Sequence, residues 1–303
     1  MNNFSVDVRS EIGDIEYVIL HSPGPEVENM TPRNAERALY SDILNLSVAT
    51  REYNQLKKVL EKITQTFQVR NLFTDVLHQQ EIAADLIHRI CAYEGSLDTE
   101  SDLLRLTPEQ LTSALIEGVL LKKDSLTKFF NKETYALLPL PNFFFTRDSS
   151  MSIFNRVFIG RMASRVRERE AMIMNSIFEH HPVLRNNLVN VPDNLENISF
   201  EGGDVLIARD DIIIIGIGKR TTSQGIDYII EKFSQHKEPL HVIVQELPET
   251  PESFIHLDMT FTMLDMDKCM IYEPLIIRQN RYQTVHISID NGKVKHIKTT
   301  VNI

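Results

Sequence analysis

The 303-residue chain is 42% apolar and 24% charged, with a net charge of −10 and two cysteines. This is the balance of a soluble globular protein large enough for one big domain or two ordinary ones. It excludes a disulfide framework and argues against nucleic acid as a partner. No apolar run reaches the ~20 residues of a membrane span, so no membrane partner is expected. The N-terminus, Met1-Asn2-Asn3-Phe4-Ser5-Val6-Asp7, lacks the basic-then-apolar pattern of a signal peptide, which makes a reducing cytoplasm the expected setting.

Taken in order, residues 15–21 read as a strand closed by Ser22-Pro23-Gly24-Pro25. Leu56, Val59, Leu60 and Ile63 then fall on one helical stripe. Residues 76–131 are helical in pattern with no convincing strand. Ile82, Ala83, Leu86, Ile87 and Ile90 share a face, and Thr107-Pro108-Glu109-Gln110 has the form of a capping box with proline at the first helical position. Strands resume at 143–145, 151–154 and 157–162, followed by a helix over 166–179 that must stop before Pro182. Residues 205–208 and 212–217 form a hairpin about Arg209-Asp210-Asp211. A helix carries Ile226, Ile229, Ile230 and Phe233, and further strands are expected at 242–246, 269–272 and 285–289, the last turning at Asp290-Asn291-Gly292. The recurring order of two strands, helix and strand suits a propeller-like array, with a general α/β sandwich as the alternative.

Walker-type loops, a dinucleotide fingerprint and His-Glu-x-x-His are lacking from the sequence. Three clusters carry chemistry instead. Pro141-Asn142-Phe143-Phe144-Phe145-Thr146-Arg147-Asp148 reads as an aromatic strand ending in a carboxylate. In Phe200-Glu201-Gly202-Gly203-Asp204, two glycines let a ligand or backbone approach a carboxylate closely. At strand spacing, His256 and Asp258 point to one side, where a carboxylate would orient an imidazole and raise its pKa. Taken singly, these are equally a surface ion pair, a tight turn and a structural hydrogen bond. Taken together they offer carboxylates for a planar guanidinium, whose bidentate geometry they match, with Arg167 and Arg220 available for a carboxylate at the ligand's other end. The carboxylates are better explained as guanidinium ligands than as a metal cage, so neither metal nor other cofactor is expected.

With these motifs the sequence resembles the arginine deiminases, of the guanidino-group-modifying superfamily that folds as a five-module pentein α/β propeller. The likeness also takes in Ser10-Glu11-Ile12-Gly13, Leu20-His21-Ser22-Pro23-Gly24, Met30-Thr31-Pro32 and Arg220-Thr221, in the family's order over nearly the whole chain. The resemblance implies ββαβ propeller modules at 1–75 and 132–303 with a helical insertion at 76–131. It also implies conversion of L-arginine and water to citrulline and ammonia through a cysteine thiouronium intermediate. Asp148 and Asp258 would grip the guanidinium, and Glu201 and His256 would move protons. Arg167 and Arg220 would bind the α-carboxylate, Asn142 the α-amino end, and Phe145 would pack on the aliphatic stem. Asp204 reads as a turn or supporting group.

Family members carry their nucleophilic cysteine in a Gly-rich segment of a last module, which is not found before Ile303. Cys91 beside Ile90 reads as a buried apolar thiol, and Cys269 as a turn into a core strand, so neither is expected to react. The chain is therefore expected to hold the pocket without the attacking thiol, as an incomplete propeller whose last module is missing. It would be inactive unless completed. The alternatives are a non-catalytic binder of arginine or another guanidino compound, a subunit completed by a second chain, and an amidinotransferase. A homo-oligomer is left open.

Overall fold

The computed structural model describes residues 4–30, 43–184, 187–192 and 195–300. Thr31-Pro32 and the chain end at 301–303 lie outside the described residues. The chain divides into two compact units. One comprises Ile15–Thr146 and Val166–Arg185; the other comprises Phe4–Asp14, Arg147–Arg165 and Asn186–Ile303.

The first unit is mainly helical. Strand β1 (Tyr17–Leu20) pairs in parallel with β2 (Gln65–Gln68), and the short β3 (Val119–Leu120) pairs antiparallel with β4 (Tyr135–Leu137). Its longer helices are α1 (Leu46–Leu60), α2 (Val69–Leu77), α3 (Gln80–Glu94), α4 (Pro108–Glu117) and α5 (Glu168–His180). Helix α2 packs against α4 and α5, and α5 also meets α3. Val69, Leu72, Phe73 and Val76 on α2, Leu86, Ile87 and Ile90 on α3, and Leu111, Leu115 and Ile116 on α4 are all buried, as the helical spacing demands. The capping box is real: Thr107 Oγ1 accepts from the Gln110 N–H at 3.3 Å, and Gln110 Oε1 accepts from the Thr107 N–H at 3.1 Å.

Three expectations are corrected here. The Leu56–Ile63 stripe is not a buried face: Leu56, Val59 and Ile63 are more than half exposed, and the helix ends at Leu60, before Ile63. The predominantly helical stretch contains a strand, the two-residue β3. Residues 143–145 are no strand but part of a turn, in which the Phe143 N–H donates to the Leu140 carbonyl and the Phe145 N–H to the Asn142 carbonyl. Prolines at 139 and 141 lack the N–H groups a ladder needs, so tight turning wins over aromatic strand propensity. Asp148 accordingly sits on the one-turn helix Thr146–Ser149 rather than at a strand end.

The second unit is built on a five-stranded sheet ordered β14-β13-β10-β9-β8. Its strands are β8 (Val205–Arg209), β9 (Ile212–Ile217), β10 (Leu240–Glu246), β13 (Thr284–Asp290) and β14 (Lys293–Thr300). Strand β9 is parallel to β10 and the other pairings are antiparallel. Beside it stand a three-stranded sheet of β5 (Ser150–Ile153), β6 (Arg156–Ile159) and β7 (Asn187–Val189), and the hairpin β11 (Phe261–Asp265)–β12 (Lys268–Ile271).

Strand alternation divides the apolar side chains of the large sheet between two cores. Val205, Ile207, Ile213, Ile215, Val242 and Val244 pack with Ile226 and Ile229 of α6 (Ser223–Glu231), while Leu206 and Ile214 pack with Leu257, Phe261 and Leu275. At the β13–β14 turn Asn291 and Gly292 take φ of 50° and 69°, the left-handed pair that a two-residue hairpin requires. Strand β12 is mostly exposed, so Cys269 is on a surface hairpin and not in a core strand; Cys91 is buried on α3. Among the described residues no helix is long and apolar enough to cross a membrane.

Candidate active site

Within the strand-rich unit, Asp148, Glu201, His256 and Arg220 are all buried at one place. Glu201 is extended (φ −125°, ψ 146°) and leads into a single 3₁₀ turn, Gly202–Asp204, which feeds β8. His256 is also extended and leads into a second 3₁₀ turn, Leu257–Met259. The expected strand at His256-x-Asp258 is therefore corrected: Asp258 falls in the turn that follows His256, and the His256 ring meets Glu201. His256 Nε2 lies 3.0 Å from Glu201 Oε2, and Nδ1 lies 3.7 Å from Asp148 Oδ1. The other oxygen of Glu201 accepts from the Ala163 N–H at 3.1 Å and stands 3.7 Å from Arg220 Nη1.

The paired glycines have a steric reason. A Cβ on Gly203 would stand 2.6 Å from His256 Nδ1 and 3.0 Å from Asp148 Oδ1, and one on Gly202 would run into the Arg147 carbonyl oxygen. No other residue lets the turn pass so close to the imidazole. Asp204, read from sequence as a turn or supporting group, is fully buried: it accepts from Thr221 Oγ1 at 2.6 Å and from the Leu257 N–H at 3.0 Å.

Burial works against the imidazolium of His256, but its hydrogen bond to Glu201 and the charges of Asp148, Asp204 and Glu201 outweigh that and push its pKa up to about 9. The group is thus an acid at neutral pH, held ready to give up a proton. Burial likewise raises Asp204 to about 7, against the lowering effect of His256, Thr221 and the Leu257 N–H. Asp258 is also raised, first by burial; His256 and Arg147 oppose the shift, and Asp148 and Glu11 add to it.

Arg147, given no role by the sequence reading, ties the site together. Its Nε donates to the Gly202 carbonyl at 2.9 Å, its Nη2 to the Val205 carbonyl at 2.6 Å, and its guanidinium forms a fork with Glu11 at 3.0 and 3.1 Å. Both residues stand within motifs already singled out, Thr146-Arg147-Asp148 and Ser10-Glu11-Ile12-Gly13. Adjacency to Asp148 was the one signal available for Arg147. Glu11 lies far away in sequence, and its signal was its place in the Ser10–Gly13 motif alone.

The remaining expected site residues lie in the helical unit. Asn142 is buried in the turn after Pro141, where it lines a small recess with Met30, Leu140, Val166 and Glu170. Arg167 is buried at the start of α5, and its Nε and Nη2 meet Glu170 Oε2 at 3.1 and 2.8 Å. Phe145 is half exposed and packs against Phe144, the rings tilted by 42° with centroids 4.3 Å apart.

Asp148, Glu201 and His256 also place one potential ligand atom each within 4.8 Å of the others, the minimum geometry for a cation site. A metal needs a neutral imidazole. Here the ring is engaged by Glu201 and its pKa lies well above neutrality, so the donor set fits proton transfer better than ligation.

Among solved structures, an amidinotransferase of Microseira wollei, from a saxitoxin biosynthetic pathway, superposes with a TM-score of 0.50 at 16% identity, over 88% of this chain and 69% of that one. The architecture is thus an α/β fold, and the centre built on it sets an imidazole against buried carboxylates. The arginine deiminase family model matches residues 36–302. An arginine deiminase of Borrelia recurrentis (strain A1) is 30% identical over 277 residues, 86% of this chain and 67% of that protein. One from Staphylococcus aureus (strain MRSA252) is 28% identical over 328 residues, 99% and 79% respectively. The chain belongs to the arginine deiminase family, whose members are hydrolases of the guanidino C–N bond.

Proposed function

We propose that the chain binds L-arginine and supplies the guanidinium-gripping and proton-moving groups for its hydrolysis to citrulline and ammonia. The observation that carries this reading is the buried His256–Glu201 pair at 3.0 Å, flanked by Asp148 and Asp258. Asp148 and Asp258 take the guanidinium. His256, charged at neutral pH, gives a proton to the departing ammonia and, once neutral, takes one from the water that attacks next; Glu201 holds the ring in place throughout.

Arg220 suits a carboxylate, because its Nε is buried without a hydrogen-bond partner among the described residues. Arg167 is assigned the same end of the substrate, Asn142 its amino group, and Phe145 its stem. The finer architecture belongs to the same proposal: propeller modules at 1–75 and 132–303, an insertion at 76–131, and a cytoplasmic setting.

Among the described residues His256 meets carboxylates and not a cysteine; Cys269 is exposed on β12 and Cys91 is buried on α3. The attacking thiolate is therefore assigned to neither of them. The 303 residues alone are expected to bind arginine without releasing citrulline. Release is expected once a segment or second chain brings a thiol to His256, since losing a nucleophile from a concerted site costs on the order of 10⁶-fold.

The test is product analysis by NMR with guanidino-¹⁵N arginine, on a mass-verified 303-residue protein and on a form extended by a thiol-bearing segment. Citrulline and ammonia from the extended form alone are expected. Robust turnover by the 303-residue protein would overturn the assignment of the thiol. Transfer of the amidino group to an added amine would favour the amidinotransferase reading that the shared fold suggests.

A further inference from the structure

Glu201 and His256 come from turns 55 residues apart, yet their side chains meet at 3.0 Å. A chain of buried hydrogen bonds on the backbone side joins the same two turns. The Glu201 N–H donates to Thr221 Oγ1 at 3.3 Å, and Thr221 Oγ1 donates to Asp204 Oδ2 at 2.6 Å. Asp204 Oδ1 accepts the N–H of Leu257, the residue after His256, at 3.0 Å. Asp204 and Thr221 are completely buried. The fold also makes room for the bridge: a Cβ on Gly216 of β9 would stand 2.6 Å from Asp204 Oδ1 and 3.0 Å from the Leu257 Cβ.

We propose that Asp204 and Thr221 are positioning residues, a hydrogen-bonded bridge that fixes the backbones of Glu201 and His256 in register and keeps a negative charge behind the imidazole. The inference rests on reading Glu201 and His256 as the acid/base pair. Two of the three donors converge on Asp204, and an ionised carboxylate, acceptor on both oxygens, satisfies both at once. A neutral Asp204 would have to place its proton on an oxygen that already accepts. The bridge therefore favours the ionised carboxylate, while burial opposes it, leaving the group poised at about 7.

Arranged around His256 are the carboxylates of Glu201, Asp148, Asp204 and Asp258. The cations of the cluster are Arg220, beside Glu201, and Arg147, which acts on Asp148 and Asp258. Of these carboxylates, Asp204 binds the backbone that carries His256 while leaving the ring nitrogens to Glu201 and Asp148. A residue that merely filled space would contribute to the melting temperature. One that positions and charges the pair must also move the titration of His256.

The experiment is histidine-selective ¹³C/¹⁵N NMR of the 303-residue protein, with the His256 resonance assigned by its loss in His256→Gln. Asp204→Asn, which keeps the shape and removes the charge, is expected to lower the His256 midpoint by about one pH unit. Thr221→Val cuts the link and raises Asp204 further, so it is expected to lower the midpoint by less; Thr221→Ser is expected to restore it. Should Asp204→Asn fail to fold, the Thr221 pair decides by itself. An unchanged His256 midpoint in folded Asp204→Asn, or equal midpoints in Thr221→Val and Thr221→Ser, would overturn the proposal. The readout needs no turnover: a shifted midpoint in a protein whose thiol-extended form makes no citrulline supports the bridge and counts against the deiminase reading, whereas an unchanged midpoint in one whose thiol-extended form makes citrulline counts against the bridge alone.

Discussion

The helical unit closes its buried charges in pairs. Arg167 grips Glu170 one turn along α5, Arg169 meets Glu94 at 3.3 Å and donates to the Leu138 carbonyl, and His21 meets Glu26 at 2.9 Å. In the strand-rich unit the carboxylates of Glu11, Asp148, Glu201, Asp204 and Asp258 gather around the cations Arg147, Arg220 and His256. Paired charges are close to neutral in the net energy of folding. An excess of one sign costs stability and is kept where a ligand of the opposite sign will relieve it. The contrast leaves this acidic cluster with more carboxylates than cations, which supports the proposal that it takes a substrate guanidinium.

The largest expected effect comes from cutting the centre of the cluster. Glu201→Ala leaves the buried His256 imidazolium, Arg220 and the Ala163 N–H without their common acceptor. It should cost about 3 kcal/mol in urea denaturation, as the loss of one member of a buried pair does. A cost near zero would mean that the cluster is no more integrated than a surface pair.

Charge removal elsewhere should have opposite signs in the two units. In the fold Asp258 is held above its ordinary pKa by burial and like charge, so folding disfavours its ionised form relative to the unfolded chain. Asp258→Asn should stabilise the protein by about 1 kcal/mol while weakening arginine binding. Burial pushes Glu26 up, but the His21 hydrogen bond and charge and the Gly24 N–H bring it below its ordinary value. Its contribution is present above the unfolded pKa and lost as the pH falls, and Glu26→Gln should cost about 2 kcal/mol at pH 7. His256 adds the alkaline limb: raised from 6.5 to about 9, it stabilises fully below pH 6.5, and that contribution fades as the pH rises through 9. Denaturation at acid, neutral and alkaline pH separates these contributions. Equal signs for the two substitutions would break the comparison.

Smaller effects sharpen it. Gly203→Ala drives a methyl group against His256 Nδ1 and should cost about 2 kcal/mol together with ligand binding. Gly95→Ala adds a Cβ in open space at φ +71°, so it should cost only about 1 kcal/mol and leave binding intact. Thr107→Ala removes the α4 cap, again for about 1 kcal/mol by thermal melting.

Much of this was legible in the sequence where a local rule governs. The Thr107 capping box, the 205–217 hairpin and the Asp290-Asn291-Gly292 turn depend on neighbouring residues, and the spacing specified them. The glycine pair of Glu201-Gly202-Gly203-Asp204 marked a close approach, though what approaches, the His256 ring, is a tertiary fact. Turns also defeated the strand readings at 143–145, where nearby prolines break the ladder, and at His256-x-Asp258, overriding side-chain propensity. Leu56, Val59 and Ile63 keep helical spacing on an exposed face, so periodicity identified the helix without identifying a cover for it. Arg147, Glu11 and Thr221 were not legible as site residues, because each acts through partners 17 to 196 positions away.

The claim that the acidic cluster holds a guanidinium is tested most directly by isothermal titration of the 303-residue protein with L-arginine and with citrulline, which has nearly the same shape and lacks the charge. Arginine should bind at least about tenfold more tightly, the smallest difference expected for a charge-assisted pair. Asp148→Asn should abolish that preference. Equal affinity for the two ligands, or a preference that survives Asp148→Asn, would contradict the account.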